Sequence, residues 1–366
     1  MALSSAWNRL QALLRAEWRA LTTLQATDRA WEMPVAAALA AGLPLLVGAW
    51  FDRMSWGMVS SLGGLVFLYL PPTPLYHRMV MLMACAFALT GSYTLGIMSH
   101  LVPALMMPAL VFTTILVTMV SRFYALSPPG GMVFVMAASI GAYSRVGAIE
   151  QLPMMVGLSA MGALLACLIG FFYSLYILRR HDPRPVAPLP NPSFDFVVFD
   201  SVVIGVFVGI SVVIAQALRL ERAYWVPISC VAVLQGASLR AVWDRQLHRI
   251  IGTGAGLLLS WGLLLVPMDQ WGMALTMMVL TFVIESTVVR HYALATMFIT
   301  PLTILLAEAA TQSGPILPQA LIAARFYDTV LGCLVGLAGG VCLHNSRFRE
   351  LVGGAMKRLM PVRTRL

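Results

Sequence analysis

Charged residues are scarce in this sequence of 366 residues, since only 11% are Asp, Glu, Lys or Arg while 60% are hydrophobic. A water-soluble core could not bury so much apolar surface. Long stretches carry almost no charge, and each is about as long as a helix that crosses the hydrocarbon layer of a bilayer. The shortage of charge excludes a soluble globular protein and predicts an all-α polytopic membrane protein.

Motifs that carry chemistry are also missing. The sequence contains no phosphate-binding glycine loop, zinc-ligand cluster, nucleophile motif or nucleic-acid-binding motif. Its five cysteines show no metal-ligand spacing. We therefore expect no enzyme activity, no metal, no cofactor and no nucleic-acid partner. The expected partners are the lipid bilayer and a small organic anion; a homo-oligomer and a periplasmic or membrane partner are left open.

The apolar stretches predict about twelve membrane spans, six in each half, although several are short enough to leave ten spans as an alternative. The predicted spans cover residues 33–50, 54–70, 79–98, 102–120, 131–146 and 153–178 in the first half, and 197–218, 223–239, 247–267, 271–288, 292–309 and 318–342 in the second.

Basic residues gather on one side of this predicted topology. With the N-terminus in the cytoplasm, 19 of the 24 Lys and Arg residues fall in cytoplasmic segments. This distribution indicates an even number of spans and two cytoplasmic termini. It also accounts for the net charge of +9.

Three segments lie outside the spans. Residues 1–32 are too charged for a cleavable signal peptide. Their apolar residues recur at helical spacing, which predicts an amphipathic helix on the cytoplasmic membrane surface or on the protein's own cytoplasmic face. Residues 181–196 are rich in proline, which predicts an extended cytoplasmic linker between membrane repeats 33–180 and 197–342. Residues 343–366 form a basic cytoplasmic tail.

The two halves resemble each other in sequence. The pentapeptide RFYAL at Arg122–Leu126 returns as RHYAL at Arg290–Leu294, 168 residues later, and residues 51–56 match residues 220–225 at an offset of 169. An even number of spans precedes the linker, so the second copy enters the membrane from the same side. We therefore predict two parallel six-helix repeats related by a pseudo-twofold axis along the membrane normal.

A more specific pattern lies in the second half, where an aromatic-Trp-x-Pro segment is followed by a Val-Leu-Gln end and an Arg-x-x-Gly-Thr helix start. The positions that carry it are Tyr224, Trp225, Pro227, Gln235, Arg249, Gly252 and Thr253. The pattern resembles the signature of the fusaric acid resistance (FUSC) family. In the first half only Ser55-Trp56-Gly57 and Arg78 remain of it.

The resemblance implies a transporter for organic anions in the bacterial inner membrane, similar to aromatic acid exporters. We expect a secondary transporter that exports small organic or aromatic carboxylic acids, with proton coupling as an option. A passive organic-anion channel and a non-transporting membrane scaffold are the alternatives. Larger members of the family carry sizeable cytoplasmic domains, whereas the centre of this chain is a short linker.

Ionisable residues inside predicted spans are costly to bury and often mark transport pathways. Glu285, in apolar surroundings that favour a neutral acid, and Asp328 are candidates for proton coupling. Glu285 could equally reach the interface or bond to a neighbouring helix. Glu308 is a third candidate, which could equally be a solvated helix end. Arg325 lies three residues before Asp328, where it can pair with that carboxylate or bind the substrate anion. The first half lacks charged counterparts, so we expect transport chemistry in the second half.

Four further arginines lie at the cytoplasmic ends of equivalent spans, where they could form a vestibule that attracts anions or simply set the topology. They are Arg78, Arg122, Arg249 and Arg290. Glu32 and Asp200 also recur at an offset of 168 residues, and each could pair with a nearby arginine.

Overall fold

The computed structural model describes residues 23–27, 29–144, 148–189, 193–220, 223–310 and 318–359. All regular secondary structure within these ranges is helical, as the sequence predicts. Thirteen α-helices of ten or more residues form there. They are α1 Glu32–Trp50, α2 Met54–Gly64, α3 Leu75–Met98, α4 Met106–Phe123, α5 Met132–Tyr143, α6 Leu152–Ile177, α7 Asp200–Ala217, α8 Trp225–Leu234, α9 Leu239–Leu264, α10 Gln270–Thr287, α11 Tyr292–Ala310, α12 Pro318–His344 and α13 Ser346–Leu359.

Short polar residues begin several of these helices by capping the free backbone N–H groups of the first turn. The side chain of Ser238 accepts a hydrogen bond from Ala241 N at the start of α9. Asp269 accepts one from Gly272 N before α10, and Asn345 accepts one from Phe348 N before α13. These caps fix helix starts that hydropathy alone does not define.

Seven helices in the described part of the chain are long and apolar enough to cross a membrane. They are Glu32–Trp50, Leu75–Met98, Pro103–Phe123, Ile149–Ile177, Asp195–Ala217, Leu239–Leu264 and Gln319–His344. Shorter apolar helices cover Met54–Tyr69, Met132–Tyr143, Trp225–Leu234 and Tyr292–Leu306. The structure therefore supports a multi-pass membrane protein, while the count of twelve spans is not confirmed.

Helix α8 shows why some apolar helices are shorter than the length needed to cross the hydrocarbon layer. Its ten residues rise only about 15 Å, roughly half the thickness of the hydrocarbon layer. All ten residues are buried by neighbouring helices. Protein rather than lipid surrounds this helix, so its ends do not need to reach the membrane surface.

Two predicted boundaries in this region are wrong. The span predicted at 223–239 contains a helix only over Trp225–Leu234, and the span predicted at 247–267 starts eight residues earlier, at Leu239. The Ser238 cap and an ion pair between Arg240 and Asp244, four residues apart, support the added polar turns. Hydropathy does not register these turns because they are charged.

One face of the bundle contains the ends of α2, α4, α6, α8 and α10 and the start of α1. This face is called the basic face below. Tyr69 Oη donates to Gly130 O at 2.6 Å, and Gln235 Nε2 donates to Pro129 O at 3.1 Å. Arg184 N, in the proline-rich linker, donates to Pro72 O at 2.8 Å. The loops of both halves therefore meet on this face.

Among the described helices, the two halves make their most extensive contacts along two seams. In the first, α4 packs on α7, where a Cβ added to Gly209 would lie 2.7 Å from Val111 Cγ2. In the second, α1 packs on α10, where a Cβ added to Gly42 would lie 2.7 Å from the side chain of Met278. A glycine permits the close approach at both seams.

The terminal segments also lie on the basic face. Residues 1–22 of the predicted amphipathic helix fall outside the described residues. Residues 23–27 have no regular secondary structure, and Gln25 N donates to Arg290 O at 2.9 Å. The predicted basic tail contains α13 over Ser346–Leu359, and residues 360–366 fall outside the described part.

Candidate functional site

The motif at the start of α8 is buried at the centre of the second half. Trp225 is its first residue, and Pro227 is its third, where the missing N–H removes no helical hydrogen bond. Tyr224 precedes the helix and packs its ring 5.0 Å from that of Trp225. Trp225 is therefore buried inside the bundle, and its neighbour Tyr224 lies half-buried at the rim.

Arg249 lies ten residues into α9, inside the bundle, with only 4% of its surface exposed. Its Nη1 donates to Tyr292 Oη at 3.0 Å, and its Nη2 donates to Ser229 Oγ at 3.1 Å. Gly252 lets α9 approach α11, since an added Cβ would lie 2.5 Å from Ala293 O. The Arg-x-x-Gly spacing thus holds the guanidinium between α8 and α11. Thr253 follows Gly252 and is 1% exposed.

Arg325 approaches the same region from α12 and is 3% exposed. Its guanidinium carbon lies 3.7 Å from the ring centroid of Trp225, in cation–π contact. Its Nε and Nη1 atoms have no hydrogen-bond partner within the described residues. Gly332 allows α12 to approach α8 closely, because an added Cβ would lie 2.4 Å from Val226 O.

Asp328 lies one turn after Arg325 and is 0% exposed. The charges of Asp328 and Arg249 both act on Arg325. The six residues Trp225, Ser229, Arg249, Tyr292, Arg325 and Asp328 are called the arginine cluster below. The structure therefore brings Arg249, Arg325 and Asp328 together. The sequence analysis assigned Arg249 to the possible vestibule, and Arg325 and Asp328 to the ionisable residues inside spans.

The arginine cluster can recognise an anion. Two guanidinium groups present planar arrays of N–H donors, which match the oxygens of a carboxylate. Ser229 and Tyr292 hold Arg249 in one orientation, while two nitrogens of Arg325 keep unused donor capacity. Buried donors without acceptors are costly, so a ligand that accepts these hydrogen bonds is stabilised there.

The cluster is enclosed in this conformation. Two surface grooves lie elsewhere: one of about 360 Å³ between α9, α10 and α11, with an apolar lining that includes Leu275, and one of about 500 Å³ between α9 and α12, beside Trp243. Neither groove is lined by a residue of the arginine cluster. Arg249, Arg325 and Asp328 are 4%, 3% and 0% exposed, so the ionisable groups of the cluster are buried among the described residues.

Glu285 is not an isolated carboxylate. Its Oε2 accepts from Arg29 Nη2 at 2.9 Å, and its backbone oxygen accepts from Arg29 Nη1 at 3.2 Å. Arg29 lies in the segment before α1, so this ion pair joins the N-terminal segment to α10. The sequence did not identify Arg29 as the partner, because the helix predicted for residues 1–32, on the membrane surface or on the protein's cytoplasmic face, has no assigned contact. Glu308 lies near the end of α11, and its side chain is outside the described part.

The vestibule hypothesis places four arginines around one opening, but their environments differ. Arg78 is 5% exposed and donates from Nε to Thr73 O at 2.6 Å, while Arg249 is buried in the arginine cluster. Arg122 binds Asp200, and Arg290 is exposed on the basic face. The four side chains do not form one exposed ring, since helix packing encloses the Arg78 and Arg249 guanidinium groups.

Asp200 connects three helices. It accepts from Arg122 of α4 at 2.7 Å and from Arg349 of α13 at 2.8 Å. Glu32 lies 4.0 Å from Arg180. The prediction that Glu32 and Asp200 pair with nearby arginines is confirmed. Arg349 was missed as a partner because the sequence gives no reason to dock the C-terminal tail on α7.

Among the described residues, no group of three or more His, Cys, Asp or Glu side chains could hold a metal ion. The described side chains of the arginine cluster offer hydrogen bonding, charge and aromatic contact.

Comparisons with known proteins agree with the motif. The sequence profile of the fusaric acid resistance protein-like family matches residues 202–339. The chain is 29% identical over 147 residues to the uncharacterized membrane protein YvaC of Bacillus subtilis (strain 168), covering 39% of this chain and 23% of that protein. It is 27% identical over 141 residues to the uncharacterized protein YhfK of Escherichia coli (strain K12), covering 38% of this chain and 19% of that protein.

The matched region therefore spans about a fifth of the length of these curated relatives. No solved structure matches the chain. The resemblance inferred from Trp225, Arg249 and their neighbours is confirmed for the second half.

Proposed function

We propose that this protein is a secondary transporter that moves small organic anions, including aromatic carboxylates, across the inner membrane of a bacterium. The arginine cluster is its anion-binding site. The observation that carries this proposal is the pair of arginines, Arg249 and Arg325, that are 4% and 3% exposed among helices of a membrane protein. The match to the fusaric acid resistance protein-like family over residues 202–339 supports it.

The physical reason for assigning an anion is the cost of burying cations. Removing one charged group from water costs on the order of several kcal/mol unless a partner compensates it. Among the six residues of the arginine cluster, Asp328 is the one acidic residue and Arg249 and Arg325 are the two basic ones. A bound carboxylate would supply a second acidic group and would accept hydrogen bonds from the Nε and Nη1 atoms of Arg325.

Movement of the two halves would expose the site. In our proposal α1–α6 and α7–α12 are parallel repeats related by a pseudo-twofold axis. The packing pattern supports this view, because α4 on α7 and α10 on α1 are equivalent pairs under the repeat, and each has a glycine at the contact. Rocking at these seams would open the enclosed cluster to one side of the membrane at a time.

Export and proton coupling form the finer part of the proposal. The basic face would lie in the cytoplasm, following the positive-inside rule, so the substrate would enter from that side. Asp328 is the stronger candidate for a proton carrier because it lies within the arginine cluster. Glu285 is 6% exposed, but its carboxylate already binds Arg29.

Flux through proteoliposomes tests the proposal. We expect the purified chain to carry radiolabelled benzoate, and R249Q and R325Q to reduce the rate at least about tenfold, the scale of one lost charged hydrogen bond. The matched control is R53Q, which removes an exposed arginine next to Trp56 and should leave flux unchanged.

A panel of aliphatic and aromatic acids should accompany benzoate, because the proposed class is broad. No flux of any anion would refute the transport proposal. Equal flux in wild type, R249Q and R325Q would refute the assignment of the site.

A further inference from the structure

The C-terminal helix α13 has two faces with different surroundings. Its inner face packs on the buried core of the bundle through three apolar side chains, Phe348, Val352 and Met356. Its outer face carries the exposed side chains of Arg347, Leu351 and Arg358. We propose that this outer face binds the anionic headgroups of phospholipids in the membrane leaflet beside the basic face. Such binding would anchor α13 whether or not the protein transports an anion.

Helix α13 lies where one long apolar helix ends and another begins. Only Asn345 separates it from the end of α12. Arg349 donates to Asp200 Oδ1 at 2.8 Å, and Asp200 is the first residue of α7. A Cβ added to Gly353 would lie 3.7 Å from the ring of Phe199, one residue earlier. Because α7 and α12 are both long enough to cross a membrane, these contacts hold α13 near the depth of the lipid headgroups.

The outer face combines an apolar side chain with two basic ones. Arg347, Leu351 and Arg358 lie within about 40° of one another around the helix, because steps of four and eleven residues are close to whole turns. Leu351 is 75% exposed, and both arginines are exposed. Glu350 lies about 100° around the helix from Leu351, so it can remain in water while Leu351 faces lipid.

This combination fits the boundary between headgroups and acyl chains. An exposed leucine gains by inserting below the phosphates, and the arginines beside it can donate hydrogen bonds to phosphate oxygens. Each arginine close to an anionic leaflet strengthens binding by a factor of about five. A second copy of the chain is a poorer occupant of this face, since a symmetric contact would bring its two arginines against the same two arginines.

The test measures how tightly α13 is held in membranes of different charge. The purified chain is placed, one copy per disc, in lipid nanodiscs of phosphatidylcholine alone or of phosphatidylcholine and phosphatidylglycerol in equal parts. Hydrogen exchange with mass spectrometry then follows the amides of α13. We expect them to exchange at least about tenfold more slowly in the anionic discs. Amides of α3 should exchange alike in both discs and serve as the internal reference.

Two sets of variants locate the contact on the outer face. R347Q/R358Q should remove most of the difference between the two discs, and L351Q should reduce it by roughly threefold. Because these three side chains are exposed, the substitutions should not disturb folding. The matched control is R53Q/R179Q, which removes two exposed arginines outside α13 and should keep the wild-type difference.

R349Q separates the two faces of α13. Arg349 binds Asp200, so its loss should speed exchange in both discs and leave the ratio between them unchanged. In an uncharged detergent, where anionic headgroups are absent, R347Q should exchange like the wild type.

Equal exchange of α13 in the two discs would overturn the proposal, as would a full wild-type difference in both R347Q/R358Q and L351Q. Slower exchange that appears only when a disc holds two chains would assign the outer face to a second copy and would also overturn it. Absence of anion flux in proteoliposomes would refute transport and leave this lipid contact standing.

Discussion

At the scale of single residues, the structure divides the candidate ionisable groups by their partners. Arg325 lies in the arginine cluster, where its Nε and Nη1 atoms have no hydrogen-bond partner within the described residues. Glu285 and Asp200 instead bind arginines from other segments at 2.9 Å and 2.7 Å. Buried ionisable groups in the described part of this chain therefore differ in whether another charged side chain already binds them.

Glu285 provides a prediction at this scale. E285Q removes the charge that binds Arg29 but keeps a hydrogen-bond acceptor, so the N-terminal segment should detach more readily. We expect the amide of Gln25, which donates to Arg290 O, to exchange its hydrogen roughly tenfold faster, equivalent to a loss of about 1.4 kcal/mol. Hydrogen exchange with mass spectrometry measures this.

E150Q is the control for this experiment, because Glu150 is exposed before α6. Unchanged exchange at Gln25, together with loss of the pH dependence of flux, would instead assign Glu285 to proton coupling.

At the scale of secondary-structure elements, glycine positions decide how closely helices pack. Gly332, Gly336 and Gly340 recur every four residues on α12, and the first two face the backbone of α8. In the first half, a Cβ added to Gly162 of α6 would lie 1.7 Å from Ser60 O. Gly157 lies on the same helix and has no atom within 4 Å of an added Cβ.

These two glycines of α6 should respond in opposite ways to the same substitution. G162A should lower stability by about 1–3 kcal/mol, because backbone rather than a flexible side chain blocks the new methyl group. G157A should be neutral or raise stability by up to about 1 kcal/mol, since Ala favours a helix. Thermal unfolding of both variants in the same detergent compares them; equal effects would contradict the α2–α6 contact.

The docked C-terminal helix leads to a second element-scale prediction. R349Q removes the contacts of Arg349 with Asp200 and Leu343 O, both at 2.8 Å. This pair is partly exposed, so we expect a loss of about 1 kcal/mol and roughly fivefold faster hydrogen exchange in α13. R347Q, an exposed arginine on the same helix, is the control. Equal exchange in both variants would show that Asp200 does not hold α13.

At the scale of the whole molecule, the described helices form a bundle whose two halves make their most extensive contacts at the α4–α7 and α1–α10 seams. Terminal segments hold both seams on the basic face. Arg29 binds Glu285 at the end of α10, and Arg349 shares Asp200 with Arg122 where α4 meets α7. Movement of one half against the other must therefore accommodate these two ion-paired contacts.

A disulfide across a seam tests whether the halves move during transport. Gly42 and Met278 are in contact across the α1–α10 seam, so cysteines at both positions should crosslink on oxidation. We expect oxidation to reduce anion flux at least about tenfold, because seam movement limits access to the site, and a reductant to restore it. The two single-cysteine variants are controls. Full flux in a crosslinked protein would exclude movement at this seam.

The sequence by itself determined the helical class and most of the helix positions. Scarce charge and long apolar stretches leave the backbone no option but internal hydrogen bonding in lipid, so helices such as Leu75–Met98 follow from composition. The motif around Trp225 and Arg249 could also be identified from the sequence, because its residue types lie at short, fixed spacings along the chain. Where charge and hydropathy conflict, as at the start of α9, the prediction was wrong.

Tertiary structure alone decided which residues meet. Arg249 and Arg325 are 76 residues apart in the sequence, and only the packing of α8 against α9 and α12 encloses both in one cluster. It also gave Glu285 its partner in Arg29, 256 residues away. Hydropathy records how favourable burial is for each residue, but not the neighbour it is buried against. That neighbour determines whether a buried charge stabilises the fold or remains available to a ligand.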